Sequence, residues 1–269
     1  MGKAIRNSDG REIWGVLGGL GPLASAEFLR TIYKRSAGHA EQAAPVVILL
    51  SDPRMPDRTS AILRGEEQLL LRELSKGLDQ LLSFGATQLI VCCVTLHRLL
   101  TKIPIEVQRR TVSLVDIIFS LILHSSKRHL LICTEGAREQ RVFEEHAQWN
   151  ASKKWIVCPD AEEQKKIHEM LYQIKCGQFS SAHIHYLKLL QSKYDVNSYI
   201  AGCTEAHIIV NEQERLDNRP SIEFCIDPLQ EIASRMSVVP LIGGAPTHRA
   251  ELDTTANAED CQRDMKGCL

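Results

Sequence analysis

Short apolar runs alternate with amphipathic segments along this 269-residue chain, and the alternation begins again near residue 129. IWGVLGGLG (13–21) reads as a buried strand entering a glycine turn. Pro22 then opens the helix PLASAEFLRTIYKRSA, where its missing N–H costs nothing. PVVILLS (45–51) is a continuous apolar run, which predicts a parallel strand covered on both faces. GEEQLLLRELSKGLDQLLSFG (65–85) has helical spacing and a terminal glycine. TQLIVCC (87–93) is the next strand, LHRLLTK (96–102) begins a helix, and VDIIFSLILHS (115–125) is another.

The second cycle repeats the plan. RHLLICTEGA (128–137) is strand and turn, REQRVFEEHAQW (138–149) helix, and KWIVCPD (154–160) strand. AEEQKKIHEMLYQIKCG (161–177) and SAHIHYLKLLQSK (181–193) are helices. VNSYIAGC (196–203) is a strand, and TEAHIIVNE (204–212) a short helix or turn. Strands alternating with helices specify an α/β fold with mainly parallel sheets and right-handed crossovers. The restart predicts two pseudo-symmetric open α/β domains. One comprises residues 1–119, completed by 226–240; the other comprises 120–225. Residues 241–269 are polar, lack apolar periodicity and read as a C-terminal surface extension.

Hydrophobic residues make up 44 % of the chain, charged residues 24 %, and the net charge is −1. Nothing in this balance attracts nucleic acid or an anionic membrane. The longest apolar runs are too short to span a bilayer. The polar N-terminus lacks a signal-peptide core. Nine cysteines, an odd number, then point to free thiols in a reducing, cytoplasmic setting. They are scattered rather than arranged as paired ligand clusters, so no metal is expected.

Two of these thiols recur in the same context. VCCVTLH (91–97) and AGCTEAH (201–207) each end an apolar strand and place a histidine four residues after a cysteine: Cys93 with His97, and Cys203 with His207. A lone cysteine at a strand end is commonly a small buried hydrophobe. At the carboxyl end of a parallel strand it can also face a ligand cleft, where N–H groups and a helix dipole favour the thiolate. Two matching sites in two matching halves favour the second reading, with one thiol on each wall of a shared cleft. By strand alternation Cys92 points to the opposite face and belongs to the core. The turn GGLGP (18–22) either serves as a tight strand-to-helix connection or brings N–H groups to a small anion. The polar loop SDPRMPDRTSAIL (51–63) supplies Arg54, Arg58 and Thr59; an arginine above a cleft can clamp a carboxylate through two parallel hydrogen bonds.

VLGGLGP (16–22), PDRT (56–59), the Cys93-x-Thr95-x-His97 run, GCTE (202–205) and the segment CPDAEEQKKIHEMLYQIKCG (158–177) occur in an order and spacing that resemble the aspartate/glutamate racemases. The resemblance covers roughly residues 13 to 240, and GCTE is similar to the aspartate racemase branch. It implies a cofactor-independent amino-acid racemase, with neither pyridoxal phosphate nor metal. Cys93 and Cys203 would be the catalytic acid and base, on opposite faces of the substrate α-carbon. Chemistry supports that division: inversion needs a base on one face and an acid on the other, and a thiol can serve as either. The resemblance also implies that Gly19, Thr59, Thr95, Thr134 and Thr204 bind substrate, that Arg58 clamps a side-chain carboxylate, and that Lys175 touches substrate. Arg54 is the alternative clamp. Glu205 either orients Cys203, binds the ammonium, or is an acid favoured by a helix start. His97 and His207 either orient local hydrogen bonds or simply pack.

The expected ligand is a small carboxylate, probed first as an acidic amino acid, and exposed helices flanking open sheets make a homodimer the expected assembly. One residue departs from the family's Cys-Asn-Thr pattern. Val94 stands where the resemblance implies a donor to the substrate α-carboxylate: if aspartate or glutamate is the substrate, asparagine there is expected to raise activity, and if activity falls or the substrate changes, Val94 marks a pocket reshaped for something less polar. The alternatives are an isomerase or decarboxylase of another small carboxylate on the same scaffold, a catalytically silent acid-binding protein, and a Cys–His hydrolase, which leaves the second thiol unexplained.

Overall fold

The computed structural model describes residues 11–37 and 41–237; the extension expected at 241–269 lies outside them. The elements run β1 (Ile13–Gly18), α1 (Pro22–Arg35), β2 (Val46–Ser51), α2 (Arg58–Leu63), α3 (Glu67–Ser83), β3 (Gln88–Val91), α4 (Ile105–Gln108), β4 (Thr111–Val112) and α5 (Leu114–Ser125). They continue with β5 (His129–Ile132), α6 (Glu135–Glu139), α7 (Trp149–Ser152), β6 (Ile156–Val157), α8 (Ala161–Lys175), α9 (Ser181–Lys193), β7 (Tyr199–Ala201), α10 (Ala206–Asp217), β8 (Cys225–Ile226) and α11 (Pro228–Ser237).

Two four-stranded sheets result, in the orders β2-β1-β3-β4 and β6-β5-β7-β8. Every ladder in them is parallel. The second order is the first with each number raised by four, so β3 and β7 occupy equivalent interior positions. Among the described residues no helix is long and apolar enough to cross a membrane.

The core forms three apolar clusters. One lines the outer side of the first sheet with Leu70, Leu74, Leu78 and Leu81 of α3. Another lines the second sheet with Ile167, Leu171 and Ile174 of α8. The third draws on both sheets at once: Val16 and Ile90 from the first, Leu131, Ile200 and Ile226 from the second, with Phe28 of α1, Phe119 of α5 and Ile232 of α11. Full burial of each such side chain contributes about 1.5–3 kcal/mol, so the two halves share a substantial part of their stabilisation. Helix α11 follows the last strand of the second sheet yet packs along α1.

Several elements differ from their sequence expectation. β2 pairs only with β1 and its residues are half-buried or exposed, because the strand order puts this apolar run on an edge. The segment after Cys93 is a 3-10 helix, Val94–Lys102, opened by an i+3 hydrogen bond from Leu96 N to Cys93 O. Residues 138–149 do not form one helix: α6 stops at Glu139 and Arg141 takes a left-handed φ of 48°, a conformation that breaks the helical repeat. Conversely, the short helix expected after Cys203 extends to Asp217.

Candidate active site

The strand repeat brings the two cysteine turns into equivalent settings. Cys93 follows β3 and Cys203 follows β7, and each carbonyl accepts from the N–H three residues on: Leu96 N at 3.3 Å and Ala206 N at 3.0 Å. Both thiols are free and buried, Cys93 7 % and Cys203 6 % exposed. Their segments are joined directly, since Thr204 Oγ1 donates to the Cys92 carbonyl at 3.3 Å. Cys92 is 1 % exposed and belongs to the apolar cluster shared by the two sheets, as strand alternation predicts.

The thiols differ in their partners. Cys203 Sγ donates to Glu205 Oε2 at 2.7 Å. Burial, then the Glu205 charge, push the Cys203 pKa well up, while the Lys175 charge works against them. Glu205 is 2 % exposed, and its other oxygen, Oε1, has no hydrogen-bond partner. That oxygen lies against the GGLGP turn: a Cβ built on Gly21 would sit 1.9 Å from it. Only glycine leaves room for the carboxylate there. Gly19 is fixed for another reason, having φ of +81° and an ideal Cβ position 2.4 Å from the Asp52 backbone.

Arg58 reaches the same turn from α2. It is 7 % exposed, and its guanidinium donates to the Leu20 carbonyl and, at 3.2 Å, to that of Pro56. Among the described residues no carboxylate pairs with it, although a buried cation ordinarily acquires one. Leu20 and Gly21 thus carry a buried guanidinium on one side and a buried carboxylate with a free oxygen on the other. Arg54 is different: it is exposed and forms a bidentate pair with Asp52 at 2.7 and 2.8 Å, pointing away as a surface side chain.

The threonines bridge the halves. Thr95 Oγ1 lies 3.1 Å from Thr134 Oγ1, and Thr134 caps α6 by accepting from Ala137 N. Thr59 packs against Gly136 of α6. Asp57, the N-cap of α2, accepts from the Tyr172 hydroxyl of α8 at 2.7 Å. Burial works to raise the Asp57 pKa, but its hydrogen bonds and the Lys175 charge outweigh it and hold the carboxyl below its usual range. Lys175, half-buried, lies 4.0 Å above the Tyr172 ring. Hydrogen bonds and packing tie Thr95, Thr134, Thr204 and Glu205 to the two cysteine turns, with Arg58 and Thr59 reached through the GGLGP turn and α6; Lys175 acts on Cys203 through its charge, and Gly19 packs on the Asp52 backbone. Tyr172, Asp57 and Gly21 are additions that sequence reasoning did not single out; the PDRT and GGLGP motifs contain two of them.

The histidines do other work. His97 Nδ1 donates to Cys93 O at 2.9 Å while Nε2 accepts from Leu114 N at 3.0 Å, and burial pushes its pKa down to about 4. It is a neutral brace between the thiol turn and α5. His207 Nδ1 donates to Asp227 at 2.6 Å, and Nε2 lies 2.9 Å from Thr31 of α1. With Asn211 and Glu27 this buried polar network links α1 to α10. Neither ring is bonded to a thiol; both are spent on backbone and side-chain partners that brace the turns.

Val94 packs among apolar neighbours. It is 1 % exposed and lies in the apolar cluster shared by the sheets, with Leu114 and Ile118. Asparagine there buries an amide rather than adding a donor to the site, at a cost of about 1–3 kcal/mol. Val94→Asn is thus expected to lower the melting temperature by roughly 2–4 °C per kcal/mol with no gain in turnover. A rise in activity on aspartate or glutamate in a thermal-shift and racemisation comparison would contradict this placement.

Known proteins share this architecture. An aspartate racemase from Picrophilus torridus superposes with a TM-score of 0.68 at 21 % identity, over 84 % of this chain and 92 % of its own. An Asp/Glu racemase, described as putative, from Yersinia pestis gives 0.62 at 19 % identity, over 84 % and 97 %. A glutamate racemase from Campylobacter jejuni subsp. jejuni gives 0.53 at 15 %, over 83 % and 84 %. At these identities the likeness is one of fold. Residues 17–236 match the sequence family described as Asp/Glu/Hydantoin racemase, and with four-fifths of its length inside that match the chain belongs to this racemase family.

Proposed function

We propose that this member of the racemase family interconverts the enantiomers of an acidic amino acid, aspartate or glutamate, by proton transfer between Cys93 and Cys203 without a cofactor. The observation that carries the substrate assignment is the pair of unmatched charges flanking Leu20–Gly21. Arg58 is a buried guanidinium lacking a carboxylate partner among the described residues, and Glu205 is a buried carboxylate with one free oxygen. An acidic amino acid supplies a carboxylate for the first and an ammonium for the second. Thr95 and Thr134 add a hydroxyl donor for the remaining carboxylate oxygens, Thr204 can join them by releasing the Cys92 carbonyl, and Lys175 adds positive charge.

Cys203 holds its proton, because burial and Glu205 both oppose the thiolate. In the direction that uses Cys203 as the acid, Cys93 is the base. Its thiolate takes the α-proton, the electron pair passes into the α-carboxylate as an enediolate, and the Cys203 S–H delivers a proton to the opposite face. The product leaves Cys93 protonated and Cys203 as thiolate, the form that accepts the other enantiomer. Hydroxyls and the Lys175 ammonium stabilise the charge that builds on the carboxylate.

Purified protein incubated in deuterated water with L- and D-aspartate, L- and D-glutamate, neutral amino acids and a hydantoin tests the reading. Deuterium at the α-carbon of the inverted acidic product is expected; turnover of the hydantoin alone would defeat the substrate assignment. Arg58→Ala should raise KM for an acidic substrate over a neutral one by about 5- to 150-fold, the equivalent of 1–3 kcal/mol for a charged hydrogen bond. Equal effects on both substrates would remove the clamp role.

A further inference from the structure

None of the thiol turns' threonines, nor Glu205, lines the cavity of about 280 Å³ that opens beneath the 3-10 segment. Its walls are that segment, the start of α5, and residues 142–146 from the other half. One ion pair and one hydrogen bond cross it. Arg98 pairs with Glu145, and His146 Nε2 lies 2.6 Å from Asp116 Oδ1. The Arg98 and Glu145 side chains are 40 % and 38 % exposed, so that pair meets solvent and is weak by itself. A ligand that matches its charges can replace it at little cost.

The charges are laid out for a zwitterion. Arg98 and Ser113 supply donors for a carboxylate, the Ser113 hydroxyl hydrogen being free because its oxygen caps α5 by accepting from Asp116 N. Asp116 and Glu145 supply acceptors for an ammonium. Leu100, Val115 and Val142 line the cavity with apolar surface suited to a short aliphatic chain. The volume falls just below the roughly 300–1,000 Å³ of sites for drug-sized ligands, a size that suits a free amino acid.

The cavity also touches the catalytic turn. His97 is one of its lining residues, and the same ring bridges Cys93 O to Leu114 N. A ligand that spreads the 3-10 segment from α5 shifts that brace and, with it, the backbone carrying Cys93. We propose that this cavity is a second, regulatory site for a free amino acid, coupled to Cys93 through His97. The binding claim stands on the cavity alone; its regulatory meaning rests on the proposed role of Cys93.

Calorimetric titration separates the two sites. L-Glutamate, L-aspartate, L-alanine and L-lysine are titrated into the full-length Arg58→Ala protein, in which the proposed active-site clamp is missing; Lys175→Ala replaces it if Arg58→Ala does not fold. At least one amino acid should still bind, and propionate and propylamine, each carrying one end of the zwitterion, should bind at least tenfold more weakly. Adding Arg98→Met or Glu145→Gln should weaken the surviving binding at least tenfold. The bound amino acid should also change the rate of iodoacetamide alkylation at Cys93, followed by peptide mass spectrometry, at least threefold. No surviving binding, binding indifferent to Arg98→Met and Glu145→Gln, or an unchanged alkylation rate overturns the proposal. Racemisation is read in none of these arms, so failure of the catalytic reading remains a separate result.

Discussion

Alanine at either Cys93 or Cys203 is expected to abolish interconversion of enantiomers, lowering kcat by about 10²- to 10⁴-fold for loss of one acid or base, while the protein stays folded. On the proposed two-base mechanism each turnover needs both thiols, so the double variant should be scarcely slower than either single one. The single variants should differ in what survives. With Cys203→Ala, Cys93 can still take and return the α-proton of the enantiomer that faces it, so solvent deuterium enters that enantiomer without inversion. With Cys93→Ala, the exchange should move to the opposite enantiomer and be slower, because Cys203 must first lose a proton that burial and Glu205 hold on it. Chiral chromatography coupled to mass spectrometry reads both quantities. Wild-type racemisation by Cys203→Ala would end the two-base reading and bring a one-thiol decarboxylase forward.

The second large effect comes from a residue without a side chain. Gly21→Ala places a methyl carbon where Glu205 Oε1 now lies, the two atoms being 1.9 Å apart. The carboxylate has to swing away, breaking its 2.7 Å bond with Cys203 and, with it, the ammonium contact proposed above. A charged hydrogen bond is worth about 1.5–3 kcal/mol, so kcat/KM should fall roughly 10- to 150-fold. Glu205→Gln, which keeps the shape and removes the charge, should show a comparable loss. The two sites should not add: in a Glu205→Ala background, Gly21→Ala should cost almost nothing, because the clash has been removed. A full independent effect of Gly21→Ala in that background would show that the turn, not the carboxylate, is what the methyl disturbs.

Much of this architecture could be read from sequence because it rests on local patterns. Ile13–Gly18, Gln88–Val91 and Tyr199–Ala201 are apolar runs bounded by turn residues, and the cysteine turns follow at once. What could not be read depends on where strands and helices end up. The Val46–Ser51 run has the composition of a central strand and lies on an edge, because strand order is a property of the whole sheet. Val94 stands in a motif, and nothing in the sequence tells that its side chain packs in the core shared by the two sheets. Residues 138–149 have helical composition, but the left-handed Arg141 interrupts them. The Glu205–Gly21 contact spans 184 positions and leaves no mark in the sequence beyond the two motifs that contain it. Likewise nothing near Tyr172 signals that its hydroxyl reaches Asp57.

Glu205 attends one thiol and not the other, and thermodynamics limits what such lopsidedness can do. Mirror-image substrates have equal free energies in solution, so the equilibrium constant between them is unity. The Haldane relation then requires kcat/KM to be the same in both directions, whatever the protein does to Cys203. A one-sided carboxylate therefore cannot make the protein a better producer of one enantiomer. It can only trade saturation against speed: the direction that begins at the more stable form of the enzyme has the higher KM or the lower, and its kcat must move in step. Progress curves started from the pure L and pure D forms should accordingly share one initial slope at low substrate and separate as concentration rises.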